Sequence, residues 1–147
     1  MKKAGKTIHL SIESRLSDVA LVGHAVRGVC ACSPLDSDVY GEVEVCVVEA
    51  VNNAITHAYR REEGFRVEAA ITLHHDRISF EISDCGQPIK DFTQPRNLEF
   101  DPAVVSSIPE NGMGLFIIET IMDEVSYHSS NGRNTLCFCR YFSPPQP

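Results

Sequence analysis

Between Glu42 and Tyr59 the chain reads EVEVCVVEAVNNAITHAY, and four of its side chains could do chemistry: Glu49, Asn52, Asn53 and His57. Glu49 and Asn53 are spaced i, i+4, so on a helix they share a face one turn apart. A carboxylate placed there could take the proton of an attacking hydroxyl or water. A carboxamide oxygen could hold Mg²⁺, a hard cation that keeps few protein ligands beside phosphate and water. The same residues also suit the solvated side of an ordinary helix, so the pair alone leaves both readings open.

Two further stretches carry polar groups at element ends. In ISDCGQPI, Ile82 to Ile89, an apolar strand stops at Asp84, and Gly86 and Pro88 turn the chain. A carboxylate at a strand end can accept from the exocyclic amino group of adenine, and Gly86 would let backbone come close to the ring. An ordinary Asp-x-Gly turn is the plain alternative. In ENGMGLFII, Glu110 to Ile118, Gly112 and Gly114 stand at the mouth of a helix. Helix N-termini favour phosphate through free N–H groups and the dipole, and glycine admits a close approach. The dinucleotide fingerprint is not met, because its third glycine and its preceding parallel strand are missing.

The elements that must position these groups are legible from periodicity. TIHLSIES alternates Ile8, Leu10 and Ile12 as a strand does. Ser14 or Ser17 can cap a helix to about Cys30, with Leu16, Val19, Val22, Val26 and Val29 as its buried stripe. CSPLDSD is a loop whose Asp36, Ser37 and Asp38 offer caps for a second helix running to about Tyr59. In that helix Val43, Val47, Ala50, Ala54 and Ala58 face the core. RVEAAITLHHDRISFEISD gives two strands with a tight turn near His75–Asp76. Residues 86–111 hold Pro88, Pro95, Pro102 and Pro109 and read as a long loop. GLFIIETIMDEV is a third helix, and VSYHSS, NGR and NTLCFCRYF close the chain as a hairpin. This order implies an α+β fold, a two-layer sandwich with a mixed, mainly antiparallel sheet and helices on one face.

Size and composition bound the rest. The 147 residues suit one domain, 1–147, with a core at about 7–142 and a proline-rich tail at 143–147. At 43% apolar the chain can build a core. No apolar run approaches the ~18 residues of a membrane span. The first residues lack the apolar run of a signal peptide, so a cytoplasmic location is expected. A formal charge of −7 argues against direct nucleic-acid binding. The cysteines, Cys30, Cys32, Cys46, Cys85, Cys137 and Cys139, form two C-x-C pairs rather than the wider spacing of zinc sites. Small buried hydrophobes are the better reading of them.

Taken in order, E-x-x-x-N on a helix, D-x-G-x-P at a strand end and G-x-G-L at a helix mouth after a long loop resemble the Bergerat-type (GHKL) ATPases. That superfamily is shared by histidine kinases, type II topoisomerases and mismatch-repair ATPases. Within it the chain looks like the bacterial anti-sigma-factor serine kinases of the RsbW and SpoIIAB type. EAVNNAITHAY and NGMGLFIIETIMDEV carry most of the likeness.

The resemblance implies Glu49 as catalytic base and Asn53 as the Mg²⁺ ligand in contact with nucleotide. It implies Asp84, with Gly86 beside it, as the adenine-binding carboxylate. Gly112, Met113, Gly114 and Leu115 would form the phosphate loop, about Asp91 to Asn111 the ATP lid, and Thr135 would lie near the adenine and phosphates. ATP and Mg²⁺ are the implied cofactors. The implied partners are a sigma factor, a STAS-domain anti-sigma antagonist phosphorylated on serine, and a second copy of the chain, with no membrane. A nucleotide-dependent binding module without phosphoryl transfer is the alternative, and the intact Glu49 favours catalysis. The catalytic domain of a histidine kinase is a third reading. The chain's own amino-terminal strand and helix, without separate dimerisation helices, weigh against it.

Overall fold

A computed structural model of the chain describes residues 5–90, 92 and 113–143. Among them, five strands form one sheet: β1 (Lys6–Glu13), β2 (Arg66–Leu73), β3 (Arg77–Asp84), β4 (Glu124–Ser130) and β5 (Arg133–Tyr141). The spatial order is β1-β2-β3-β5-β4. The sheet was expected to be mixed, yet every pairing in it is antiparallel. β3 and β4 do run the same way, but β5 lies between them and pairs with both, so no parallel ladder forms.

Helices α1 (Val19–Cys30), α2 (Ser37–Asn53) and α3 (Met113–Ile121) cover one face. Alternate strand residues Val67, Ala69, Ile71, Ile78, Phe80, Ile82, Leu136 and Phe138 join the helices' Val22, Val26, Val43, Val47 and Ile118 in a single core. This is the period-2 pattern of a one-sided sheet meeting the 3.6 pattern of helices. Val43, Val47, Ala50, Ala54 and Ala58 are all buried, as the α2 spacing predicts.

The first helix departs from expectation. Leu16 is 47% exposed in a 3-10 turn (Leu16–Asp18) ahead of α1, and Cys30 takes the buried end of the stripe in place of Val29. Ser14 is buried but caps nothing. Its hydroxyl donates to Glu62 O at 2.6 Å and accepts the Phe65 N–H at 3.1 Å, tying the start of α1 to the segment before β2. Asp36 does precede α2 in extended backbone, without a side-chain capping bond among the described residues. The third helix ends at Ile121, because Glu124 and Val125 already pair with Cys139 and Phe138 as strand β4. The hairpin turn at Asn131–Gly132 has φ of 55° and 75°, the left-handed pair that a two-residue hairpin requires. Residues 91, 93–111 and Gly112, where the lid and the first phosphate glycine were expected, lie outside the described residues.

Candidate functional site

α2 passes into one π turn, Ala54–Ala58, immediately after Asn53. Such turns gather at functional sites because they displace the chain without ending the helix. Here the turn sends the Ala58 carbonyl outward to accept the Gln87 N–H at 2.9 Å. This brings the turn after β3 onto the helix end. Gly86 follows from that contact: a Cβ there would stand 2.3 Å from Ala58 O and 2.6 Å from its carbonyl carbon. The glycine, expected to admit an adenine ring, has a protein neighbour on the side where a Cβ would stand. Tyr59 fixes the same corner, donating to Arg66 O at 2.6 Å and accepting the Cys85 N–H at 2.7 Å.

Between the helix end and the sheet lies a cleft of about 380 Å³, within the roughly 300–1,000 Å³ usual for small-molecule sites. Asn53, Asp84 and Leu115 line it, with Ile82, Leu136 and Tyr127. Its apolar lining suits a flat ring, and Asn53 and Asp84 are among its polar groups. Beside Asn53, α3 meets α2. A Cβ on Gly114 would lie 2.9 Å from Glu49 Oε2 and 3.1 Å from Asn53 Nδ2. The first turn of α3 therefore touches both members of the polar pair, and only glycine leaves them room. Met113 begins this helix beside Gly114. The amide oxygen of Asn53 fits a hard cation that takes most of its shell from phosphate and water.

In the same cleft Asp84 is held by two donors on one oxygen. Gly86 N–H reaches Oδ1 at 3.0 Å and Asn134 Nδ2 reaches it at 2.8 Å. Burial raises the Asp84 pKa above the ordinary carboxylate value, and the bonds from Asn134 and Gly86 and the charge of Arg133 oppose that rise. Neither of these bonds uses Oδ2, which leaves an acceptor for a ligand in the cleft.

Among the described residues, Thr135 is a predicted one that the structure turns away from this cleft. Leu136 lines the cleft and Asn134 bonds Asp84, so Thr135 between them points to the opposite face of the sheet. There its hydroxyl pairs with Ser83 Oγ at 3.0 Å. Asn134, buried to 2% exposure, occupies the position that Thr135 was expected to hold. The strand's own parity could have found it, since Leu136 and Phe138 mark the even positions as inward. Tyr127 also escaped sequence reading. It lines the cleft from β4, and its hydroxyl accepts the Ile89 N–H at 2.8 Å. His57, exposed, and Lys90 stand on the cleft wall as its basic groups among the described residues.

Of the cysteines expected to be small buried hydrophobes, Cys32 and Cys85 are exposed. Cys30, Cys46 and Cys139 are buried, which pushes their thiols up to about 11, 12 and 11, so they pack as neutral side chains.

Asn53 at the end of α2, the strand-end Asp84 and Leu115 at the start of α3 share one cleft of small-molecule size. The chain belongs to the histidine kinase-like ATPase domain family, whose pattern matches residues 12–140. ATP is the nucleotide that this membership implies.

Within the family its likeness is to the RsbW type. Serine-protein kinase RsbW of Bacillus velezensis is 30% identical, over 85% of this chain and 79% of that protein. RsbW of Staphylococcus epidermidis is 28% identical over 99% and 93%, and RsbW of Bacillus subtilis 27% over 90% and 84%. Among solved structures, the RsbU and RsbW domains of a Mycobacterium tuberculosis protein share the fold with a TM-score of 0.65 at 16% identity. That match covers 92% of this chain and 32% of the solved one. Among the described residues no helix is long and apolar enough to cross a membrane.

Proposed function

We propose that the chain is an ATP-dependent serine protein kinase and anti-sigma factor, which phosphorylates a STAS-domain antagonist in a cytoplasmic partner-switching circuit. One observation carries most of the argument: Gly114 lies against both Glu49 and Asn53, and Asn53 lines the same cleft as Asp84. A nucleotide with its base at Asp84 spans the cleft toward the pair.

In this reading Asp84 accepts from the adenine amino group, and Ile82 and Leu136 carry the ring. Asn53 provides the oxygen that would hold Mg²⁺. When bound, the cation neutralises phosphate charge during transfer. Glu49 takes the proton of the substrate serine, whose hydroxyl is a weak nucleophile without a base in hydrogen-bond reach. Gly112, Met113, Gly114 and Leu115 serve as the phosphate loop. A homodimer that binds a sigma factor completes the proposal, with the amino-terminal strand and helix as interface elements. Exposed Ile8, Leu16 and Leu21 on that side support such a contact.

The test is transfer of radiolabelled phosphate from ATP to a purified STAS partner, beside an ADP titration. Binding with transfer supports the kinase. Binding without transfer to any candidate partner supports the alternative, a nucleotide-dependent protein-binding module. One observation favours that alternative: between residues 90 and 112 the only basic residues are Lys90 and Arg96, few for meeting a γ-phosphate.

A further inference from the structure

Asn134 spends every polar atom of its side chain. Nδ2 donates to Asp84 Oδ1 at 2.8 Å and to Gly86 O at 2.9 Å, and Oδ1 accepts from Ser129 Oγ at 2.6 Å. A carboxylate and a carbonyl can only accept here, so the amide nitrogen must face them, and the orientation is not open to a flip. The arrangement runs across three adjacent strands, from exposed Ser129 on β4 through Asn134 on β5 to Asp84 at the end of β3. It occupies one oxygen of Asp84 and brings no free donor of its own to the cleft.

We infer that Asn134 is a positioning residue that keeps Asp84 an acceptor, and thereby sets a preference for 6-aminopurine over 6-oxopurine nucleotides. The inference rests on the nucleotide reading of the cleft. Its logic is protonation chemistry. An ionised Asp84 accepts from an amino group and repels the carbonyl oxygen of a 6-oxopurine. A protonated Asp84 can donate to that carbonyl, so the discrimination shrinks. Burial pushes Asp84 toward the protonated form, and the Asn134 bond is the largest influence against it. The other groups facing Asp84 are Arg133 on its own sheet, Tyr59 after the π turn, Tyr127 on β4 and neighbouring Cys85, with His57 and Lys90 on the cleft wall. Among these Arg133 also favours the ionised form, but without a bond to the carboxylate among the described residues. Asn134 therefore supplies the directed contact.

The experiment uses Asn134→Leu, which keeps the shape and removes both donors, and Ser129→Ala, a change at an exposed edge position that the fold tolerates. The Asp84 carboxyl is titrated by carbon NMR without nucleotide, and ADP and IDP are titrated calorimetrically at pH values on both sides of the midpoint so found. In Asn134→Leu the Asp84 midpoint moves upward, ADP binds about tenfold more weakly, as expected for a lost charge-assisted contact, and the ADP-to-IDP ratio falls most at low pH. Ser129→Ala moves the same three readouts in the same direction by less. A role confined to packing would lower the melting temperature and leave the midpoint and the ratio alone. An unmoved midpoint and ratio in the folded variants overturn the inference, and Ser129→Ala decides it if Asn134→Leu does not fold. Wild-type protein that ignores both nucleotides refutes the nucleotide reading and the selectivity role with it. In that case the carboxyl titration still reports whether Asn134 holds Asp84.

Discussion

Gly114→Ala separates the fold from the chemistry of the site. The added methyl would stand 2.9 Å from Glu49 Oε2, 3.1 Å from Asn53 Nδ2 and 3.3 Å from Asn53 Oδ1. The first distance is about 0.5 Å short of ordinary contact, and the strained neighbour is the far end of a flexible side chain. Glu49 therefore gives way before the backbone does. Exchanging glycine for alanine inside a helix favours folding by about 0.5–1 kcal/mol, which offsets part of the strain, so the melting temperature should change little. Catalysis should suffer more. A misplacement of ~1 Å can cost ~10²-fold in rate, so a shift of about half that size predicts a loss of roughly tenfold or more in phosphoryl transfer. ADP affinity should fall less, because the added methyl does not touch Asp84 or the apolar lining residues Ile82 and Leu136. The assay is the initial rate of phosphate transfer to a STAS partner, with melting and ADP titration as controls. A variant that transfers within twofold of wild type would refute the claim that Gly114 makes room for the Glu49–Asn53 pair.

Other substitutions separate the remaining roles. Glu49→Gln keeps the shape without the base, so transfer should drop by roughly 10²–10⁴-fold while a nucleotide titration stays close to wild type; wild-type transfer would remove Glu49 as base. Asn53→Ala should weaken Mg·ATP binding and transfer together, and a titration with and without Mg²⁺ that shows no difference between the proteins would count against its metal role. Asp84→Asn should bind ADP about ten- to hundredfold more weakly by calorimetry. Without nucleotide the Asp84 pKa is raised, so its contribution to stability is fully present below the ordinary value of 3.8 and is lost as pH rises through the folded value. Asp84→Asn should therefore melt at or above the wild-type temperature at pH 7, and the gap should close toward pH 4. Light scattering should report a dimer, and a single 16.3 kDa species at every concentration would argue against it.

What the sequence determined is what neighbouring residues determine among themselves. The i, i+4 spacing set Glu49 and Asn53 one turn apart, and α2 with its π turn carries them so. Apolar alternation is enough to place the strands, and Asn131–Gly132 turned the last hairpin because both positions need left-handed φ. Motif order was enough to name the family. Tertiary structure decided everything that depends on which segments meet. Whether Asn134 or Thr135 reaches Asp84 rests on the β3–β5 register, where a slip of one residue would exchange the two faces. Gly86 is required because the Ala58 carbonyl lies against it, and Gly114 because α3 lands on Glu49 and Asn53. Ser14 binds a segment 48 residues away in sequence instead of capping its own helix. Local rules act through a few bonds along the backbone, whereas these contacts join groups that only the packed sheet and helices bring together.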